Sequence, residues 1–390
     1  MGLFSRTSTV NTDEKLIDEL LTRGVAEVVG KDELRRKLVS GQRLRVKLGI
    51  DPTSPNLHLG RSVPLLKMQD FQKLGHHVVL IVGDFTGVIG DTSDKDSERP
   101  MLQKDTIEKN KKNYFEQIGK LIDIQTAELR YNSEWLEPLT YREIGEHADQ
   151  FSVSDFIARD NVRRRLDEGK RVSLREVLYP LMQGYDSVAV KADVELGGVD
   201  QRFNLLAGRT LQEHFGQPPQ QVVMTTFPIE GPDGRKMSSS WGNTINFNDS
   251  PETMYGRIMS IRDELVEKYF TLLTRVSVPE VQEILRGHPR DAKKRLAKEI
   301  VTLYHGPDAA EKAAAGFMKP DDAPTIEVAR GKKVRDLALP LGVSISELRR
   351  LVEQGAVEVV DGGKIMSIDS ELQNSTLKVG KHRFVKIVTK

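Results

Sequence analysis

The chain has 390 residues, 38% of them hydrophobic, and a formal net charge of +1, so it has room for two or three packed domains. It contains no cysteine, which excludes a disulfide framework, a thiolate zinc site and a cysteine nucleophile. No apolar run approaches the roughly 20 residues that span a bilayer, and Met1 to Asn11 lacks the apolar segment of a secretion signal; the expectation is a soluble cytoplasmic protein without a membrane partner.

From Thr12 to Ser40 the apolar spacing, as in Leu16, Leu20 and Leu21, predicts helix, with Asn11 or Thr12 as its N-cap. Leu44 to Ile50 alternates and predicts a strand, ended by the turn Asp51-Pro52-Thr53-Ser54-Pro55. A helix follows from about Leu59 to Leu74, then a buried strand at Val78 to Val82 and a loop from Gly83 to Asp91. Strand, helix and strand in that order form a right-handed βαβ unit of a parallel, doubly wound sheet. Ala127 to Tyr131, Ala192 to Leu196 and Gln221 to Thr226 are further strands, with helices between them. Beyond Pro251, the segment Ile258 to Tyr304 predicts a helical domain, and Lys319 to Lys333 a linker. The tail has two short helices (Val334 to Leu339, Ser346 to Glu353), strands near Val357–Val360 and Phe384–Val388, and a turn at Asp361-Gly362-Gly363. From Gly331 onward, 11 Lys plus Arg stand against 7 Asp plus Glu, a mild positive bias hidden by the balanced total.

Two short segments carry the chemistry. His58-Leu59-Gly60-Arg61 opens a helix directly after a strand. Gly60 removes a Cβ where a base or ribose could lie on the backbone, and the helix N-terminus offers N–H groups to phosphate. His58 either donates to charge developing on a phosphate or simply caps the helix. The second segment, Gly234-Arg235-Lys236-Met237-Ser238-Ser239-Ser240, is a polar loop in which Gly231 and Gly234 would supply mobility and Lys236 a point charge. It suits a triphosphate gripped at the transition state, or else it is a solvated Ser-rich loop. A phosphate-binding GxxxxGK[ST] loop does not occur. Tyr179, Gln183 and Asp186 stand at i, i+4 and i+7, on one face of a helix. Asp186 is either a site carboxylate or one half of a surface ion pair. The run Arg163-Arg164-Arg165 reads as a solvated helix face.

In this order, the two segments resemble the HIGH and KMSKS signatures of class I aminoacyl-tRNA synthetases. The blocks GIDPTSPNLHLGR, VGDFTGVIGDTSDK and LYPLMQGYDSVAVKADVELGGVDQRFNLL narrow the resemblance to bacterial tyrosyl-tRNA synthetases with a short C-terminal domain, over essentially the whole chain. It implies a Rossmann-type catalytic domain over 1–245 with an inserted dimerisation region at about 110–190. A helical anticodon-side domain over 246–322 and an α+β, S4-like RNA-binding domain over 331–390 would follow. The implied substrates are ATP, with Mg²⁺ on the nucleotide, L-tyrosine and tRNA(Tyr), and the implied assembly is a homodimer. Asp186 would accept the phenolic O–H, while Tyr179, Gln183 and Asp91 hold the α-ammonium group. Thr86 and Asn132 would line the ring pocket, and Gln201 would sit near the carboxylate. Asp51, Gly60, Gly198, Asp200, Met237, Ser238 and Ser239 would bind ATP, with His58, Lys236, Thr53 and Arg61 as the catalytic set. Arg349, Arg350, Lys381 and Arg383 would face RNA.

The chain departs from the family pattern at Arg61, where a second His is usual, and at Ser239, where a second Lys is usual. Lys47 stands where another bacterial branch has a Tyr touching the substrate hydroxyl. Arg61 could supply the phosphate-directed charge that Ser239 lacks. Two other functions stay open: a tryptophanyl-tRNA synthetase-like enzyme, and a noncatalytic RNA-binding paralogue. A HIGH-type nucleotidylyltransferase would account for His58 but not for the tail.

Overall fold

The computed structural model describes residues 9–91, 101–226, 228–317, 323–360, 362–380 and 383–390. The chain folds as two compact units, 1–248 with 261–286 and 249–260 with 287–390.

In the first unit, α1 (Glu14–Thr22) is capped by Asp13, whose carboxylate accepts from the Lys15 and Leu16 N–H groups, rather than by Asn11 or Thr12. The continuous helix expected from Thr12 to Ser40 is broken in two. Between α1 and α2 (Lys31–Val39) runs a strand, β1 (Val25–Val29), flanked by Gly24 and Gly30 at φ 63° and 76°. Those two left-handed glycines are the break signals that the apolar spacing conceals. Next come β2 (Arg45–Ile50), α3 (Leu59–Lys73) and β3 (His77–Val82), close to expectation. The stretch after β3 is not an open loop, because α4 (Asp84–Ile89) occupies most of it.

Then follow α5 (Lys104–Lys111), α6 (Tyr114–Ile118), β4 (Glu128–Tyr131) and α7 (Ser133–Leu136). Three short helices, α8 (Tyr141–Ala148), α9 (Val153–Ile157) and α10 (Asp160–Asp167), precede the long α11 (Leu174–Val190). The set closes with β5 (Val194–Gly198), α12 (Arg202–His214) and β6 (Gln221–Thr225). Arg165 of α10 is not a solvated charge: it is buried, with Nη1 2.6 Å from Oε2 of Glu176 on α11.

The sheet order is β1-β6-β5-β2-β3-β4, parallel throughout except for β1, which pairs antiparallel with β6. Five residues of β3 are buried, as befits a strand covered on both faces. From β2 the chain moves outward through β3 and β4, and then returns to the opposite side of β2 with β5 and β6. That reversal splays the chain apart at the C-terminal ends of β2 and β5, the place where open parallel sheets bind ligands.

The second unit holds α13 (Pro251–Met259), α16 (Pro289–His305) and α17 (Pro307–Gly316), each opening on a proline at its first turn. The intervening α14 (Val266–Leu273) and α15 (Val278–Arg286) belong to the first unit. The tail forms a second sheet, ordered β7 (Thr325–Val328), β10 (Arg383–Thr389), β9 (Ser375–Val379), β8 (Val357–Val359). With α18 (Ile345–Glu353) it encloses a core that includes Val334, Leu337, Leu348, Val352, Leu377 and Ile387. Two of these strands were not expected: β7 lies inside the supposed linker and pairs in parallel with β10, and β9 forms the centre of the hairpin ladder. Val334–Leu337 is one turn of 3₁₀ helix. Asp361 and Lys381 lie outside the described residues.

Candidate active site

A cleft of about 680 Å³ opens at the splayed strand ends of the first unit. Asp51, Thr53, His58, Arg61, Thr86, Asp91, Asn132, Tyr179, Gln183, Asp186, Gly198, Asp200, Gln201, Lys236, Met237, Ser238 and Ser239 all line it. Gly60 does not. A Cβ there would stand 2.9 Å from the His58 ring and 3.3 Å from Ile229, so its absence accommodates the imidazole.

His58 is the N-cap of α3, and its Nδ1 accepts from the Gly60 N–H at 3.2 Å. Capping and catalysis are therefore compatible. With Nδ1 acting as acceptor, the neutral ring carries its proton on Nε2, where it can be donated. Burial, with Arg61 and Lys236 adding repulsion, pulls the His58 pKa down to about 3, so the ring stays neutral near pH 7. Arg61 donates its backbone N–H to the His58 carbonyl at 2.8 Å, while its exposed guanidinium makes no hydrogen bond or ion pair among the described residues.

The opposite end of the cleft is one continuous hydrogen-bond chain. Tyr179 donates its hydroxyl to Asp51 Oδ2 at 2.8 Å, and Thr86 donates to Asp51 Oδ1 at 2.7 Å. Thr86 accepts from Asn132 Nδ2 at 2.9 Å, and the same amide reaches Asp186 Oδ2 at 3.4 Å. Trp135 donates its indole N–H to Asp186 Oδ1 at 2.8 Å. Asp186 is thus no surface ion-pair partner: it is 3% exposed and held by two uncharged donors. Burial is the main force on both carboxyls; it lifts Asp186 to about 7 and Asp51 to about 6. Burial, with Asp51 and Asp91 nearby, also pushes the Tyr179 hydroxyl well above its usual value. Across the cleft, Gln201 Nε2 donates to Asp91 Oδ2 at 2.7 Å.

The serine-rich loop is held by a set of contacts. Asn243 donates to Asp233 Oδ1 at 2.8 Å and to the Lys236 carbonyl at 3.1 Å, and it accepts from the Ser238 N–H at 2.9 Å. A Cβ on Gly231 would stand 2.5 Å from the Asn243 carbonyl, and one on Gly234 would stand 2.4 Å from the Arg262 guanidinium. These glycines allow close approach of Asn243 and Arg262. Just beyond the loop, Asn246 bridges to His58, tying the two signature segments together.

Several contributors escaped the sequence reading. Gly83 admits the Asp51 carboxylate, since a Cβ would fall 2.1 Å from Oδ1. Asn110, Tyr114 and Gln117 donate to the carbonyls of Pro52, Ser54 and Pro55, which fixes the turn that carries Thr53. Trp135 had one available signal, its place three residues after Asn132. Lys47, expected beside the substrate, does not line the cleft at all and is fully buried behind it.

In the tail, Arg349 and Arg350 are exposed on α18, and Arg383, also exposed, donates through Nη1 to the Leu341 carbonyl at 2.8 Å. Among the described residues no group of three His, Asp or Glu side chains is arranged to hold a metal ion. No helix among them is long and apolar enough to cross a membrane.

Comparison with known proteins places these features in context. Residues 40–319 match the sequence model of the family described as tRNA synthetases class I (W and Y). A tyrosine–tRNA ligase of Thermotoga maritima is 45% identical over 388 residues, which cover 95% of this chain and 96% of the relative. That of Dehalococcoides mccartyi is 42% identical over 398 residues, covering 97% and 100%. Among solved structures, the tyrosyl-tRNA synthetase of Archaeoglobus fulgidus complexed with L-tyrosine aligns with a TM-score of 0.61 at 24% identity, over 78% of this chain and all of that one. A truncated mitochondrial tyrosyl-tRNA synthetase of Coccidioides posadasii aligns at 0.63, also with 24% identity, over 77% of this chain and 91% of that one. At such identities the structural likeness speaks for the fold alone.

Proposed function

The chain belongs to the class I tRNA synthetases of the tryptophan and tyrosine type, and from that premise we propose that it activates L-tyrosine with ATP and transfers it to tRNA(Tyr). The observation that carries the choice of tyrosine is Asp186, a buried carboxylate lining the cleft and held in place by Trp135 and Asn132. A phenolic O–H satisfies it. Phenylalanine would leave the remaining acceptor capacity of this buried carboxylate unmet.

In the first step the tyrosine carboxylate attacks the α-phosphorus of ATP, the new C–O–P bond forms, and pyrophosphate leaves. The nucleophile is already ionised, so the protein supplies position and charge rather than a base. The Nε2–H of His58 donates to oxygens on the reacting phosphate, and Lys236 with Arg61 offsets the negative charge passed to the leaving group. Tyr179, Gln183 and Asp91 receive the ammonium group, and Asp200 with Gly198 receives the ribose. A terminal ribose hydroxyl of the tRNA then attacks the tyrosyl carbonyl and expels AMP. Mg²⁺ in this proposal arrives on the nucleotide phosphates as part of the substrate.

The proposal extends to the rest of the chain. Residues 1–245 would be catalytic, 246–322 would face the anticodon side, and 331–390 would bind RNA through Arg349 and Arg350. Tyr141, Val153, Ile157, Leu166 and Leu174 are exposed apolar side chains within 34 residues of the inserted helices, and they suit the interface of a homodimer. Pyrophosphate exchange screened over the twenty amino acids tests the core claim. Tyrosine alone should give signal; silence with all of them would favour the noncatalytic paralogue.

A further inference from the structure

Lys47 on β2 and Glu195 on β5 are register partners in the parallel sheet, and their side chains meet at 2.8 Å with exposures of 0% and 1%. Neither side chain lines the cleft. Removing two charges from water is unfavourable, and an apolar pair could fill such a space without that penalty. The charged pair therefore calls for an account beyond packing.

Its hydrogen bonds supply one. Besides Glu195, the Lys47 ammonium donates to the Gln183 carbonyl at 2.9 Å and to the Ser187 hydroxyl at 2.8 Å. Glu195 accepts from Gln183 Nε2 at 3.2 Å, from Ser187 Oγ at 3.0 Å and from Gln220 Nε2. The pair thus grips α11 at Gln183 and Ser187, on either side of Asp186. A carboxamide can sit in two orientations of opposite polarity. Glu195, which only accepts, selects the one that turns Nε2 toward it and leaves Oε1 as the free acceptor. An incoming ammonium group needs an acceptor.

We propose that Lys47 and Glu195 are a positioning pair for tyrosine recognition, Glu195 fixing the Gln183 amide with its oxygen available to the substrate ammonium and Lys47 supporting the negative charge on Asp186. The inference rests on the reading of the cleft as a tyrosine site. Asn132 at the end of β4 and Trp135 from α7 hydrogen-bond Asp186, and the charged or titratable groups acting on it include Lys47 from β2, Glu195 from β5 and Tyr179 from its own helix. After burial, Lys47 is the strongest influence on Asp186 and favours its charged form, outweighing the opposing effect of Glu195. Gly208 of α12 belongs to the same construction, since a Cβ there would stand 2.6 Å from Gln220 Nε2 and 2.9 Å from Ser187 Oγ.

The test is tyrosine-dependent pyrophosphate exchange, measured against pH, with the full chain and two variants. The uncharged double variant Lys47→Met/Glu195→Gln should fold, because buried pairs tolerate joint neutralisation. Its KM for tyrosine should rise about tenfold while KM for ATP and kcat hold. The acid limb of kcat/KM for tyrosine should move up by about one pH unit, because the net support of Asp186 is gone. Glu195→Asp keeps the charge but withdraws it by one methylene, so KM for tyrosine should rise with the acid limb in place. A double variant with wild-type KM and an unmoved acid limb overturns the proposal. Should the double variant fail to fold, an unchanged KM in Glu195→Asp overturns it. Absence of tyrosine-dependent exchange in the wild-type chain would instead remove the functional reading underneath.

Discussion

The two ends of the cleft are built on opposite plans. At the proposed tyrosine end every polar side chain of the Tyr179–Asp51–Thr86–Asn132–Asp186–Trp135 chain is hydrogen-bonded within the protein. At the phosphate end the exposed Arg61 guanidinium has no partner among the described residues, and His58 keeps an uncharged ring beside it. In the proposed function one end would recognise by fixed geometry, the other by charge that acts once phosphate is present. Specificity needs the former, because an acceptor free to turn would accommodate the wrong side chain. Transition-state stabilisation needs the latter, because cations neutralised by the protein would have nothing left for the leaving group.

Substitutions should separate the two ends kinetically. The largest loss is expected at the phosphate end: Lys236→Ala or Arg61→Ala should lower kcat for adenylate formation about a hundredfold, with KM for tyrosine unchanged. If Arg61→Ala leaves exchange intact, Arg61 does not take over charge from the position of Ser239. Asp186→Asn should act in the other parameter, reducing kcat/KM for tyrosine about thirtyfold while KM for ATP holds. An equal effect on ATP would break the division of labour.

A smaller effect follows from titration. The pKa of Asp186 is raised to about 7, mainly by burial, and in the proposed reading it is the ionised form that accepts from the phenol. Tyrosine affinity should therefore be full above about pH 8 and weaken about tenfold by pH 6, with proton release on binding at the lower pH. Calorimetry in buffers of different ionisation enthalpy reads that proton directly. A pH-independent affinity would mean that Asp186 stays charged throughout. Asn243→Ala should have the mildest consequence, about a fivefold fall in kcat as the Lys236 loop loses its internal anchor. Tyrosine binding, measured by equilibrium dialysis, should not change.

Local pattern made much of this legible in the sequence. The unit β2–α3–β3 has a buried alternating strand, a helix opened by His58 and a second apolar strand, and the i, i+4, i+7 spacing put Tyr179, Gln183 and Asp186 on one face. Where two signals overlapped, pattern failed. Helical spacing on both sides hid β1, and a proline-containing charged stretch hid β7, which is a strand only because β10 lies beside it. The polar supports of the site were out of reach for the same reason. Lys47 and Glu195 are 148 positions apart, and nothing near either residue announces the other.

The sequence by itself determined the family, the central strand–helix–strand unit and most of the side chains that line the cleft, because those depend on short-range spacing and residue chemistry. Only the tertiary structure decided that Gly60 makes room for His58, that Asn243 holds the Lys236 segment, and that Lys47 stands behind the cleft. Each of these is a contact between segments distant in the chain, and burial, which sets the charge of Asp186, His58 and Asp51, exists only after those segments have packed.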